Sequence, residues 1–385
     1  MCTTAAAGSR VARIFSGRCR KPWPSLPKAF STLSSPPPIH RHGSLLLQSK
    51  DTLGIVSAVS GVILKHELNL TGADLHVEKG NKRGEAPDHD TFICRFSFEA
   101  KKSPTNNSSS FAFDDADSAT ESFNLQSFEE HLSRIVASFH AEATLLHQSG
   151  RFVKFDGTVE GQDSQVRKEV LRFHGPARIA VFVSKRDHCL NDLLDQCRGG
   201  ELPVQITRVI SNFDRTEDNS HIFRALSRLN IPYHYVPCGD SGRDREDWEG
   251  NIMDAMQREG PHQTDFIVLA RFMQILSKEF LSWYAPLPII NIHHGLLPSF
   301  KGSNPYRQAF DAGVKLIGAT AHFVTEQLDE GPIICQAAKA VTHRDSTRDV
   351  RMTSERLEGN ALHDAVRLVA ENRVTRVGGR TIVFE

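Results

Sequence analysis

The chain has 385 residues, and its 46 Lys and Arg balance 46 Asp and Glu, so the formal net charge is zero. This balance excludes the strong basic excess of many nucleic-acid-binding proteins, and we expect no nucleic-acid partner. Hydrophobic residues make up 39% and charged residues 24%, as in ordinary globular proteins. No run of about 18 apolar residues occurs, so we expect no membrane-spanning helix and no membrane partner. The seven Cys include no Cys-x-x-Cys pair, which argues against a zinc knuckle or a disulfide framework.

The N-terminal region has an unusual charge pattern. Residues 1–50 contain no Asp or Glu, yet they carry Arg and Lys together with many Ser and Pro. This composition is typical of an organellar transit peptide. We therefore predict a transit peptide over residues 1–42 and a location in the mitochondrion, with the plastid as second choice. A basic tail without a targeting role is the alternative.

Residues 43–145 predict a small α+β domain. Apolar positions recur at helical spacing in residues 54–67, and apolar and polar residues alternate strictly over residues 91–98. The predicted strands lie at residues 44–48, 68–77 and 91–98. The predicted helices lie at residues 54–67 and 128–140. Residues 101–124 are predicted to be an insertion because they are polar and acidic. Residues 146–177 are interpreted as a linker.

Residues 178–385 predict an α/β domain. Continuous apolar strands alternate with amphipathic helices, a pattern that favours a doubly wound, mostly parallel sheet. The predicted strands lie at residues 178–184, 204–211, 233–236, 265–270 and 288–292. The predicted helices lie at residues 190–197, 222–229 and 248–258. Ligands of such sheets bind beyond the carboxyl ends of the strands.

The densest group of reactive side chains follows the fifth of these strands. Asn291 and His293 are two residues apart, so they face the same side of an extended chain. His322 lies in a later strand-like run, and Asp329 lies in a turn. A metal site from His293, His294, His322 and Asp329 is the alternative, since His and carboxylate bind zinc. Adjacent His293 and His294 would face opposite sides of a strand, so no metal site is predicted.

Three motifs carry a family resemblance. They are LARFMQIL at residues 269–276, NIHHGLLPSFKG at residues 291–302 and GATAHFVTEQLDEGPII at residues 318–334. They resemble the formyltetrahydrofolate deformylases, a branch of the folate-dependent formyltransferase family, and the likeness runs over residues 178–384. The segment at residues 51–69 resembles an ACT regulatory domain, which in that branch precedes the formyltransferase domain.

The resemblance implies hydrolysis of 10-formyltetrahydrofolate to formate and tetrahydrofolate, in one-carbon and purine metabolism, without a cofactor. It implies that Asn291, His293 and Asp329 are catalytic, with His322 beside them. From their chemical groups, we expect Asn291 and His293 to stabilise the oxyanion and Asp329 to orient or activate water. His322 is expected to hold Asp329 in place. The implied substrate-binding residues are Ala270, Phe272, Met273, Ile275, Leu276, Gly302, Val324 and Leu328.

Other functions remain as alternatives. One is formyl transfer to an amine, as in the glycinamide ribonucleotide formyltransferases. Those enzymes bind phosphate with a Gly-rich loop, and residues 183–189 at the corresponding place contain no Gly. Water is therefore the expected acceptor of the formyl group. Another is a non-catalytic folate or amino-acid sensor. A dehydrogenase is disfavoured, because no G-x-G-x-x-G follows a predicted strand. Gln274 replaces a frequent Arg of the family, which predicts weaker binding of the folate tail. The ACT resemblance implies a homo-oligomer and the hypothesis of an amino-acid effector.

Overall fold

The computed structural model describes residues 42–79, 90–100, 125–147, 151–156, 167–171, 176–214, 221–238, 242–257, 264–284, 287–302, 305–342 and 344–384. Residues 1–41 of the transit peptide predicted over residues 1–42 lie outside the described residues, and so does the predicted insertion at residues 101–124. Within the described part of the chain, no helix is both long enough and apolar enough to cross a bilayer.

The N-terminal part forms one antiparallel sheet with two helices. Its elements are β1 His42–Lys50, α1 Ile55–Lys65, β2 Leu68–Glu78, β3 Thr91–Ala100, α2 Leu125–Ser138, β4 Glu142–His147, β5 Arg151–Asp156 and β6 Arg167–Leu171. The strand order is β2-β3-β1-β4-β5-β6. The succession β1-α1-β2-β3-α2-β4 is the β-α-β-β-α-β arrangement of ferredoxin-like folds, which is consistent with an ACT-like domain.

The core of this part lies between the sheet and the two helices. On β3, the alternating residues Phe92, Cys94, Phe96 and Phe98 are all buried and contact the same apolar cluster as Phe128 of α2. The alternation in the sequence therefore identified the inward face of this strand correctly.

Residues 146–177 differ from the expected linker. They contain β5 and β6, which continue the antiparallel ladder beyond β4. Both strands include charged residues such as Arg151, Lys154 and Lys168, so no apolar run marks them in the sequence. Strand pairing, which supplies hydrogen-bond partners for the backbone, makes them part of the sheet.

The C-terminal part contains a mostly parallel sheet, as predicted. Its elements are β7 Ala177–Val183, α3 His188–Gly199, β8 Val204–Ser211, α4 His221–Arg228, β9 Tyr233–Tyr235, α5 Gly242–Gln257, β10 Phe266–Leu269, α6 Lys278–Trp283, β11 Ile289–His293, α7 Pro305–Asp311, β12 Leu316–Phe323, β13 Ile333–Ala340, α8 Thr347–Ala370, β14 Val374–Val377 and β15 Arg380–Val383. The seven-stranded sheet has the order β13-β12-β11-β10-β7-β8-β9. Strands β7 to β11 run parallel to one another, whereas β12 and β13 are antiparallel to their neighbours. Separate apolar clusters cover the two faces of the sheet.

Helix α8 is the largest element missing from the sequence prediction. It is 24 residues long and begins with a capping box in which Ser346 and Asp349 bond to each other's backbone N–H groups. The Ser-x-x-Asp pattern was the available signal. The helix buries one side against the sheet, and that side includes the fully buried carboxylate of Glu358.

The β14–β15 hairpin contacts the N-terminal sheet. Leu46 and Ile93 of that sheet form an apolar cluster with Val377 and Phe384, which we call the hairpin cluster. The Thr381 hydroxyl also donates to the carbonyl of Ile333 at the start of β13. The hairpin thus joins the N-terminal sheet to the β13 edge of the seven-stranded sheet.

Candidate active site

One cavity of about 260 Å³ lies where Asn291, His293, His322 and Asp329 meet. Asn291 and His293 come from the carboxyl end of β11. His322 is brought to them by strand register, because it lies directly opposite Asn291 in the antiparallel β11–β12 pair. Asp329 comes from the loop after β12. The structure therefore brings together the four side chains that the sequence proposed.

The contacts of His322 define its tautomer. Its Nδ1 lies 3.0 Å from the carbonyl oxygen of Phe323, which can only accept, so Nδ1 carries the proton. Burial lowers the pKa of His322, against opposing contributions from that hydrogen bond and from Asp329, so the ring is neutral at physiological pH. Its Nε2 is then an acceptor for the Asn291 amide Nδ2–H, at 3.2 Å. The amide nitrogen of Asn291 is thereby fixed in orientation and keeps a second hydrogen to donate.

This arrangement differs from the role expected of His322. Its Nε2 is 3.8 Å from Asp329 Oδ1, farther than from the Asn291 amide. In the structure His322 positions Asn291 more directly than it positions Asp329.

His293 is held between two acceptors. Its Nδ1 is 3.3 Å from Asp329 Oδ2, and its Nε2 is 3.1 Å from the carbonyl oxygen of Phe300. A neutral imidazole has only one N–H and would leave one acceptor without a donor, whereas the imidazolium satisfies both. The geometry therefore favours a protonated, buried His293 paired with Asp329.

The Asp329 carboxylate is only 8% exposed. Burial by itself would raise its pKa, but the hydrogen bond and charge of His293, the Gly302 N–H at 3.3 Å and the nearby His322 outweigh burial and lower the pKa below 3.8. Asp329 is consequently ionised at physiological pH. An ionised carboxylate beside the cavity can accept a hydrogen bond from water.

Backbone conformation places several of these groups. Asp329, Phe300 and Arg271 all have φ between 54° and 63° in the left-handed region, which costs a non-glycine residue about 1–3 kcal/mol. Gly331 follows Asp329 where the loop returns against β12, and a Cβ there would overlap the carbonyl oxygen of Phe323. Only glycine fits this close approach.

The apolar wall of the cavity contains most of the implied substrate-binding residues. Those that line it are Phe272, Met273, Ile275, Leu276, Gly302, Val324 and Leu328. Met273, Ile275 and Leu328 are more than half exposed and form its rim. Ala270 is the exception and corrects the prediction: it is fully buried in the core, because its side chain faces away from the side on which Leu269 and Arg271 line the cavity.

Comparisons with known proteins identify the family of the chain. A family model described as Formyl transferase matches residues 177–366. A mitochondrial formyltetrahydrofolate deformylase of Arabidopsis thaliana is 51% identical over 208 residues, 54% of this chain, and the match spans only 60% of that relative's length. The deformylase of Bacillus subtilis is 34% identical over 342 residues, 89% of this chain and 93% of the relative. The crystal structure of a deformylase from Pseudomonas syringae superposes with a TM-score of 0.67 at 31% identity, covering 90% of this chain and 95% of that one. The chain belongs to the formyltetrahydrofolate deformylase family.

This deformylase-family chain has a second polar group at the cavity that sequence analysis missed. Arg271 lines the cavity and is 8% exposed. Its Nε lies 3.4 Å from Oε2 of Glu358, and the same oxygen is 2.9 Å from Nε2 of His188. These residues come from the end of β10, from α8 and from the start of α3. Only the sheet brings them together, so local sequence carried little signal for their pairing.

His294 also lines the cavity, as Arg271 does. Burial lowers the pKa of His294 to about 3, and the positive charges of Arg271 and His293 add to this effect. His294 is therefore neutral over the physiological range. The cavity is therefore lined by two neutral imidazoles, those of His294 and His322.

Proposed function

We propose that this chain hydrolyses 10-formyltetrahydrofolate to formate and tetrahydrofolate. The observation that carries the proposal is the meeting of Asn291, His293 and Asp329 around one largely apolar cavity at the carboxyl end of β11. An oriented amide donor, a buried cation and an ionised carboxylate are the groups that hydrolysis of an N-formyl bond requires. The names of the related proteins support the same activity.

Asn291 is the direct oxyanion donor in this mechanism. One amide hydrogen is held by His322, and the other can bond to the formyl oxygen as it gains negative charge. A single donor of this kind lowers the barrier by about 2.7–4 kcal/mol. His293 contributes mainly its positive charge, because both its N–H groups already face protein acceptors. Of the two residues expected to stabilise the oxyanion, only Asn291 therefore donates a hydrogen bond to it directly.

Asp329 orients the attacking water. Because its pKa is lowered, it is a weak base in the ground state. It accepts the proton as the water oxygen bonds to the formyl carbon and the adduct becomes acidic. The C–N bond then breaks, and its electron pair stays with the folate nitrogen, which takes the proton from Asp329. The carbon fragment leaves as formic acid, which loses its proton to become formate. The balanced reaction is R₂N–CHO + H₂O → R₂NH + HCOO⁻ + H⁺.

The test is formate release by the purified full chain supplied with 10-formyltetrahydrofolate and no amine. We expect turnover that a metal chelator does not change, since no step needs a metal or cofactor. Asp329→Asn should lower kcat by about 100- to 10,000-fold with the fold retained. Asp311→Asn, on the exposed end of α7, is the matched control. Formate release that depends on an added amine would support the transferase instead.

We propose a mitochondrial location for the protein. The acid-free composition of residues 1–50 supports it, as does the mitochondrial designation of the Arabidopsis relatives. Residues 1–50 fused to a fluorescent protein should direct it to mitochondria. A diffuse or plastid signal would contradict the proposal.

We propose that the ACT-like part binds an amino-acid effector and that chains associate through it. β2 lies at the edge of the sheet and exposes Leu75 and Val77, by 54% and 37%. An open edge with apolar side chains favours pairing with a second sheet. Light scattering should show an oligomer that Leu75→Lys weakens. Formate release that no amino acid alters would remove the effector.

A further inference from the structure

The guanidinium of Arg271 has hydrogen-bonding capacity that the fold does not use. Its Nε and Nη1 are buried and make no hydrogen bond with any described residue. The Nε contact to Glu358, at 3.4 Å, brings opposite charges together but lacks hydrogen-bond geometry. A buried charged donor without an acceptor is costly, and such groups are usually satisfied by a ligand or by water.

The position of Arg271 suggests which ligand this is. Arg271 lines the same cavity as Asn291 and His293, where the formyl carbon would lie. Its backbone adopts a φ of 63°, a strained conformation for Arg. Strained residues of this kind cluster at ligand-binding sites. The planar fork of a guanidinium also matches the two oxygens of a carboxylate.

We propose that Arg271 is a subsite for formate, the carboxylate product, at the inner side of the cavity. This inference rests on the proposed hydrolysis. Neutral formyl and water lack a charge for Arg271 to pair with, whereas the product carries one. Glu358 competes with formate for the guanidinium, so product binding stays weak enough for release. His188 shares the same Glu358 oxygen and limits that competition.

A metal ion is a weaker interpretation of this region. His188, Cys189 and Glu358 offer ligand atoms within 4.8 Å of one another. A divalent cation bound to Glu358 would, however, lie against the Arg271 guanidinium. Burial and the charge of Glu358 also raise the pKa of the Cys189 thiol well above its ordinary range, which disfavours the thiolate that a metal needs. The Arg271 guanidinium that would repel such a cation attracts a carboxylate.

The test measures binding of ¹³C-labelled formate to the full chain by NMR line broadening, at constant ionic strength set with sodium chloride. We expect Arg271→Gln to bind formate about tenfold more weakly than wild type, as loss of one charged pair implies. Glu358→Gln, which removes the competitor, should bind it about threefold more tightly. The control is Arg186→Gln, because Arg186 is half exposed and pairs with Glu355 instead. Formate should also inhibit tetrahydrofolate formation less in Arg271→Gln than in wild type.

The outcomes separate the two proposals. A wild-type chain that releases no formate from 10-formyltetrahydrofolate refutes the proposed function. If the wild-type chain hydrolyses the substrate but the Arg271→Gln and Arg186→Gln variants bind formate equally well, the formate subsite alone is refuted. If Arg271→Gln does not fold, Arg271→Lys replaces it: loss of the planar fork should weaken formate binding by about threefold, and unchanged binding overturns the subsite.

Discussion

His322 should influence catalysis by holding the amide of Asn291. The ring accepts from Asn291 Nδ2 at 3.2 Å and is itself fixed by the Phe323 carbonyl at 3.0 Å. His322→Ala removes the acceptor and allows the amide to rotate away from the formyl oxygen. His322→Gln keeps an acceptor oxygen near the former Nε2 position and should preserve much of the activity.

The magnitude follows from what an oxyanion donor contributes. Loss of such a donor lowers kcat by about 100- to 1,000-fold, or 2.7–4 kcal/mol. Asn291→Ala should show this full loss, and His322→Ala should approach it. Because His322 acts through Asn291, the double variant should be no slower than Asn291→Ala alone. Simple additivity would instead predict a combined loss of about 5–8 kcal/mol.

The assay is formate release under saturating and limiting substrate, with all four members of the cycle measured together. We expect kcat to fall while KM changes little, since the amide acts on charge that develops only in the transition state. Near-ultraviolet circular dichroism checks the fold, and His76→Ala, on the partly exposed β2, is the control. Losses that add would refute this reasoning and would assign His322 a separate role, through Asp329 or the substrate.

Three further predictions concern stability. Burial lowers the pKa of His294 to about 3, whereas in the unfolded chain the pKa is near 6.5. The free energy of unfolding should therefore fall by up to ~1.4 kcal/mol per pH unit as the pH drops below about 6.5. In urea unfolding, His294→Asn should show a weaker dependence of this free energy on pH. Gly331→Ala should unfold at a lower urea concentration and lose activity, because the new Cβ collides with the Phe323 carbonyl. Gly61→Ala, where a Cβ meets nothing within 4 Å, should raise the free energy of unfolding by about 0.5–1 kcal/mol. Equal effects of the two variants would contradict the close approach at Gly331. Phe384→Ala removes the largest side chain of the hairpin cluster and should lower the free energy of unfolding in urea by about 3–5 kcal/mol. A loss below about 1 kcal/mol would mean that the cluster is not packed as described.

The sequence was most informative where a structural signal is local. Alternation over residues 91–98 and the apolar runs at residues 178–184 and 204–211 predicted strands at the right places, because side-chain periodicity follows backbone geometry directly. Helix α8 also has a local start signal, the Ser346–Asp349 capping box, but the sequence prediction did not use it. Strands β5 and β6 were missed because their charged residues hide any apolar period.

The residue types of the site and their motifs were also present in the sequence, but their relations were not. The pairing of Asn291 with His322 depends on the register of β11 and β12, and the Phe300 carbonyl reaches His293 only because the chain turns back at a positive φ. The Arg271–Glu358 contact depends on α8 packing across the sheet. The local sequence therefore determined which elements and reactive groups exist. Long-range packing and strand register determined which of these groups form hydrogen bonds and ion pairs, because no local pattern encodes contacts between distant segments.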